Sequence, residues 1–479
     1  MAPPDDDDHD CGWKQYAKHQ DAKLAEVIEK LAALERRVLG KKSEKRKSSK
    51  LPPPLPPETK PEAALEKREQ NALLRAAKLE TETIRLTVPP EQCKCPKCGS
   101  SKLNNVGKGK SSTIYEYVQP HFRKRVFARE TLSCRCGHIV TAPAPVRMGE
   151  KTRYAPSFVA HLVVNKCGDS NPQYRLEKAY RNLGIPMSRS TMCNLVHRAA
   201  EELRPIYAAA LKTVPASPDV HADETSMRQQ DLDRRSFLWS FVTPELIVYR
   251  YAVSRSGSVP NEVLGDSKGR LVVDQYTGYN AVTKPGRRER AGCLAHARRK
   301  LYEQREHPEV EEALELIADI YRVERDAKNA GIVGTDEHLA LRKSKSRPLF
   351  AKLLHWARRH RRSYGPKSGM ARAIRYLLNN FREHGRFLRY ASIPPDNNVA
   401  EASLRRVALG RGNYLFFGHK EAGENFAVLY TLVASCEKHG VNAIDYIADV
   451  LTRVHDHPAS RVDELLPHRW KPPDPAGRR

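Results

Sequence analysis

The chain has 479 residues, room for about three domains. Its 83 lysines and arginines outweigh 57 acidic residues, giving a formal charge of +26 spread over most of the chain, so a polyanion is the expected partner and nucleic acid the first candidate. A membrane role is excluded on length, because apolar runs such as Phe158 to Val164 fall far short of the ~20 residues that span a bilayer. The Asp5 to Asp8 start is the opposite of a signal peptide's basic and apolar one, and ten cysteines are too sparse for a disulfide scaffold, so a reducing, cytoplasmic location is expected.

Taken in chain order, residues 1–40 come first. Leu24, Ile28, Leu31 and Leu34 or Val38 recur at steps of three and four among charged residues, which predicts a short zipper-like amphipathic helix ended by Gly40. It would either pair protomers or dock on its own domain. Residues 41–90 join a basic run, Lys41 to Lys47, to the prolines between Pro52 and Pro57 and then to a polar helix at about Glu62 to Glu82; charge and proline predict a tether there, not a core.

Residues 91–148 carry two cysteine knuckles, Cys95 with Cys98 and Cys134 with Cys136, which predict a structural Zn2+ held by four sulfurs. The second spacing is one residue tight, and Cys93 and His138 are alternate ligands. Between them His121 to Arg129 is basic and partly alternating, as in a hairpin with a cationic face. Residues 149–214 read as helices. Within them Arg175 to Leu183, a turn at Gly184 and a helix from Ser188 to Glu201 make a helix-turn-helix-like pattern, a candidate DNA-binding region. Arg189, Ser190 and Asn194 would face bases, and Ala179, Leu183, Met192 and Leu195 the core; any αα-hairpin shares the pattern.

From residue 215 the texture turns to strands: Val220 to Asp223, Phe237 to Val242 and Leu246 to Val253, then helical residues near Val259 to Leu264, then Leu271 to Val273. Three antiparallel strands, a crossover helix and a further strand are the order of a ribonuclease-H-like sheet, in which the first and fourth strands are neighbours. Residues 215–307 form this first part of the core and close with a cationic helix. On it Arg298, Arg299 and Lys300 suit phosphate, while Cys293 and His296 have a metal-like spacing but are better read as packing and polar contact, since two ligands alone make a poor site. Residues 308–388 are helix-forming throughout, an all-helical insertion whose most basic stretch is Trp356 to Arg362. Residues 389–424 return to the core with Asp396 to Glu401 on a helix, followed by Arg405, Arg406 and Arg411; residues 425–479 are two closing helices and a tail.

Asp223, Asp274 and Glu401 are the acids that the rest is arranged around. A carboxylate at the rim of a buried sheet needs a cation or a proton. Mg2+, or Mn2+, takes oxygen ligands and leaves positions for water and phosphate, and two such ions about 4 Å apart clamp both oxygens of a phosphodiester displacement. Taken singly, each acid reads equally well as a turn or capping residue, and Glu401 with Arg405 as an ordinary ion pair.

Four segments, Asp223-Glu224-Thr225, Asp274 to Tyr279, Gly292 to Lys300 and Asp396 to Glu401, stand in this order behind the cysteine knuckles. With them the chain resembles the DDE transposases of the bacterial insertion-sequence-66 family over nearly its whole length. The resemblance implies a multidomain α+β protein: a ribonuclease-H-like catalytic α/β domain with an all-helical insertion, preceded by the zinc-knuckle module, the helix-turn-helix-like region and the short N-terminal helix. It selects Asp223 over Glu224 and makes Asp223, Asp274 and Glu401 the catalytic Mg2+ ligands. It further implies cutting and joining of element ends, double-stranded DNA as both element and target, a homo-oligomer on DNA at the nucleoid, and small accessory proteins of the same element as partners. Ala402 and Gly412 stand where the family has arginine and lysine. Two rival readings are a nuclease that cuts without joining and a descendant that binds DNA without chemistry.

Overall fold

The computed structural model describes residues 153–472 apart from Pro186 and Asp233, together with scattered positions between 122 and 141. Contacts divide the chain into two units, 1–109 and 110–479, and all described residues lie in the second. The expected zipper-like helix, the tether, and Cys93, Cys95, Cys98, Cys134, Cys136 and His138 therefore fall outside the described residues. Of the second knuckle's surroundings, Thr131–Ser133 pairs antiparallel with Ile139–Thr141.

Four helices follow: α1 (Pro156–Cys167), α2 (Gln173–Asn182), α3 (Arg189–Glu202) and α4 (Arg204–Thr213). Proline at the start of α1 costs nothing, because the first N–H groups of a helix have no partner in it. Ser188 caps α3 by accepting the Thr191 N–H at 3.2 Å, and Gly184 makes the turn before it at φ +78°. Met192 and Leu195 are buried as expected. Ala179 is not: α2 buries Leu176 and Tyr180, one turn apart, which rotates Ala179 to solvent and leaves Leu183 half-buried.

The sheet comes next. The long strand β1 (Asp219–Gln229) pairs antiparallel with β2 (Arg234–Val242), which pairs antiparallel with β3 (Ile247–Ala252). After α5 (Ser258–Leu264) the chain crosses back to β4 (Arg270–Val272), parallel to β1 on its other side, and then to β5 (Glu289–Ala291), parallel to β4. The order is β3-β2-β1-β4-β5, with β1 in the centre. β5 runs into α6 (Leu294–Tyr302).

A helical block follows, built on α7 (Glu309–Asn329), α8 (Asp336–Leu341), α9 (Arg347–His360), α10 (Gly369–Asn379) and the short α11 (Phe381–His384). Its apolar core, with Ile317, Leu353, Trp356 and Leu377, is continuous with Val272 of β4, Ala291 of β5 and Leu294, Ala297 and Leu301 of α6. The buried Arg342 holds the return to the sheet: it pairs with both oxygens of Glu324 and donates to the carbonyls of Phe387, Tyr390 and Ile393 at 2.9–3.0 Å. The chain then forms α12 (Asn398–Ser403), α13 (Arg405–Asn413) and the two-residue β6 (Phe416–Phe417), which pairs with the far end of β1.

Two closing helices, α14 (Lys420–Lys438) and α15 (Ala443–Arg453), complete the unit. α14 is buried on nearly every side and covers the outer edge of β3. Its Thr431 and Ser435 hydroxyls accept the Tyr249 and Ile247 N–H groups at 2.9 and 3.1 Å, which satisfies an edge that would otherwise offer itself to another strand. Gly423 allows this approach, since a Cβ there would lie 2.2 Å from the Tyr251 ring. Among the described residues no helix is long and apolar enough to cross a membrane.

Candidate active site

The parallel ladder between β1 and β4 pairs His221 with Val272. Two residues beyond that pair, Asp223 continues β1 and Asp274 follows the end of β4, two acids 51 residues apart in sequence. Side chains alternate along a strand, so Asp223 shares the face of His221 and Glu224 takes the other. Glu224 is accordingly engaged elsewhere: Arg255 pairs with one of its oxygens and the Tyr279 hydroxyl donates to the other at 2.7 Å. Burial and the surrounding carboxylates push the Tyr279 phenol well above its ordinary value, which keeps it a donor.

Glu401 arrives from far along the chain because α12 is pinned to β1. Asn397, buried at its start, donates its side-chain amide to the Ala222 carbonyl at 2.8 Å and meets the His221 ring at 3.2 Å, while its backbone N–H reaches Cys293 Sγ at 3.2 Å. The Asp396 carboxylate takes the adjoining turn by accepting the Asn398 N–H at 3.0 Å. Further along α12, Ser403 meets Ser240 of β2 at 2.6 Å. Glu401 then lies one turn into a helix fastened to the sheet at both ends.

Asp223 feels both of the other acids. Asp223's carboxyl is pushed up to about 7, first by burial and then by the charge of Glu224, with Asp274 and Glu401 adding to it; the Glu224 N–H, 2.9 Å away, pulls it back. Asp274 accepts the Tyr276 N–H at 2.9 Å, and Arg290 ties down the same loop through the carbonyls of Asp274 and Tyr276 at 2.6 and 2.8 Å. Buried carboxylates near one another are relieved by a proton or a cation; among the described residues, though, the group whose ligand atoms all lie within 4.8 Å of one another is Cys293, His296 and Glu401, not the three acids.

Glu401 does not pair with Arg405, because the helix breaks at Leu404 between α12 and α13. It meets Arg299 at 3.8 Å and His296 at 3.7 Å, both on α6. Arg298, Arg299 and Lys300 are all exposed there, with Lys300 lying over the Tyr376 ring. Cys293 is fully buried, and burial pushes its thiol up to about 11. Arg405 and Arg411 are exposed; Arg411 donates to the Ser226 carbonyl at 2.7 Å and joins Arg228, Arg234 and Arg235 around an open basin of about 550 Å³ further along β1. Arg406 turns inward instead, to Glu437 and the Cys167 carbonyl, so that guanidinium is committed inside the fold. Arg189 and Asn194 lie exposed on α3, with Arg189 3.4 Å from Glu177.

Three positioning residues go unassigned in the sequence: Asn397, Arg290 and Tyr279. Asn397 and Tyr279 stand inside the segments that carry the family resemblance, Asn397 with the signal of a cap; only the fold shows that its side chain reaches across to β1.

The class of protein is defined by comparison with known families: residues 151–425 match the model described as Transposase IS66 family, and residues 431–468 match the IS66 C-terminal element. The chain belongs to the IS66 family of transposases. Similar chains include three uncharacterized proteins of Sinorhizobium fredii (strain NBRC 101917 / NGR234). The protein y4hP is 30% identical over 414 residues, 80% of this chain and 74% of that one. The protein y4jD is 28% identical over 410 residues, 80% of this chain and 79% of its own, and y4qI is 29% identical over 400 residues, 78% and 74%.

Proposed function

We propose that this transposase cuts the ends of its insertion sequence and joins them to target DNA by divalent-metal-dependent phosphoryl transfer in a ribonuclease-H-like domain. The observation that carries the reading is that Asp223 feels the charges of both Asp274 and Glu401, which come from two other segments of the chain. The β3-β2-β1-β4-β5 strand order, with three antiparallel strands and two parallel ones, supports the fold assignment.

Asp223, Asp274 and Glu401 would hold Mg2+ or Mn2+, which supplies charge neutralisation at the phosphate and a more acidic bound water. The remaining work is positional. Asn397 holds Glu401's helix against β1, and Arg290 fixes the loop that carries Asp274. Arg298, Arg299, Lys300, Arg405 and the arginine basin supply positive charge along the path of a DNA backbone, which orients the phosphodiester without a covalent enzyme intermediate. The exposed face of α3, with Arg189 and Asn194, is a second DNA surface. Double-stranded DNA at the nucleoid is the partner and substrate on this reading, and a homo-oligomer with accessory proteins of the same element is the assembly that brings two ends together. Zn2+ at the cysteine knuckles has a structural role.

The test is incubation of purified protein with element-end DNA, target DNA and Mg2+, beside Asp274→Ala. Joined products from the wild type alone support the reading. Cut but unjoined ends would favour a nuclease, and identical results from both proteins would remove the acids from the chemistry.

A further inference from the structure

Cys293, His296 and Glu401 each bring one ligand atom to within 4.8 Å of the others. The sequence offers Cys293 and His296 as two ligands of an incomplete site; the fold adds the third from 105 residues further on. His296 Nδ1 stands 3.7 Å from Glu401 Oε1, too far for a hydrogen bond, and both are buried atoms with no hydrogen-bond partner among the described residues. Two donors each about 2.1 Å from one ion lie roughly 3–4 Å apart, so the gap is the size a divalent metal ion requires. Cys293 is fully buried, its sulfur accepting the Asn397 N–H at 3.2 Å. The His296 and Glu401 side chains are partly exposed, which leaves positions for water or a phosphate oxygen.

Resting on the reading of the three acids as a divalent-ion site, we infer that His296 is a further metal ligand, giving the ion at Glu401 a mixed nitrogen and oxygen donor set. Mg2+ takes oxygen almost exclusively, whereas imidazole suits transition ions. The glutamate-side position therefore prefers a divalent transition ion over Mg2+, while the position between Asp223 and Asp274 remains an oxygen site. The competing account is a simple imidazolium–carboxylate pair, which needs no metal.

The experiment uses the full chain with Mn2+ alone, without DNA, in amounts below one per protein. Pulsed electron paramagnetic resonance of bound Mn2+ is expected to show coupling to a 14N nucleus in the wild type. Loss of that coupling is expected in His296→Ala and His296→Gln, with Mn2+ affinity lowered about tenfold and Mg2+ affinity changed less than twofold. Coupling that survives in the variants, or bound Mn2+ without it in the wild type, would overturn the assignment while leaving the three-acid reading intact. Absence of any bound Mn2+ in the wild type would overturn both. The wild-type spectrum decides the first point even if one variant fails to fold.

Discussion

Lys166 on α1 is buried with its ammonium 3.4 Å from the centre of the Tyr414 ring, and burial lowers its pKa from 10.5 to about 8. A depressed lysine favours the unfolded chain at every pH where that chain holds the proton and the fold resists it. The penalty is full below about pH 8 and fades as pH rises towards 10.5. Lys166→Met should therefore stabilise the protein by about 2 kcal/mol near pH 7, the ring contact offsetting part of the desolvation cost, with the gain vanishing by about pH 10.5. Denaturant melts across that range check it. Asn397 makes a different prediction. Its contacts orient Glu401 without touching the reacting atoms, so Asn397→Ala should lower end cleavage at least tenfold while DNA affinity, read by gel shift, stays within twofold. A parallel fall in both would mean that the variant has simply lost its fold.

At the scale of elements, most of the sheet is legible in the sequence because its strands are apolar runs bounded by turns. Phe237 to Val242 and Leu246 to Val253 form β2 and β3, β2 starting three residues earlier and β3 shorter by one residue at each end. The apolar run in β1 covers four residues and the strand eleven, because its distal half, Glu224 to Gln229, is polar and is held by pairing with β2 instead of by burial alone. Ala179 faces solvent against expectation because small residues do not fix a helix's rotation when leucine and tyrosine compete for the core. The Glu401–His296 contact is invisible in the sequence for a further reason: it depends on Asn397 docking a helix onto a strand 175 residues away. Two predictions belong to this scale. Thr431→Val leaves the Tyr249 N–H of β3 buried without an acceptor and should cost about 1–3 kcal/mol in denaturant melts. The Arg228, Arg234 and Arg235 basin, if it meets DNA phosphates, carries salt dependence; Arg234→Ala with Arg235→Ala should reduce the slope of log affinity against log salt by about 0.9 for each phosphate no longer neutralised, equally for element-end and random DNA.

On the scale of the whole molecule, the central sheet and the helical block divide the labour. The block packs its core against β4, β5 and α6 and interrupts the sheet domain between α6 and α12, and Arg342 fastens its exit so that Glu401 returns at a defined place. Gly292 marks the seam, since a Cβ there would come 2.7 Å from the buried His384 ring. The net charge of +26 gives such a scaffold long-range attraction for any polyanion, and position along the DNA is then set by particular arginines. On the proposed reading, the whole arrangement returns a glutamate, after more than a hundred residues, towards Asp223 on β1 and Asp274 just past the end of β4. Crystals of the full chain soaked in Mn2+ test this most directly, through anomalous scattering. The account predicts peaks bounded by the carboxylates of Asp223, Asp274 and Glu401, absent from Asp223→Asn with Asp274→Asn. A fully loaded crystal with no anomalous density among those three side chains would contradict it.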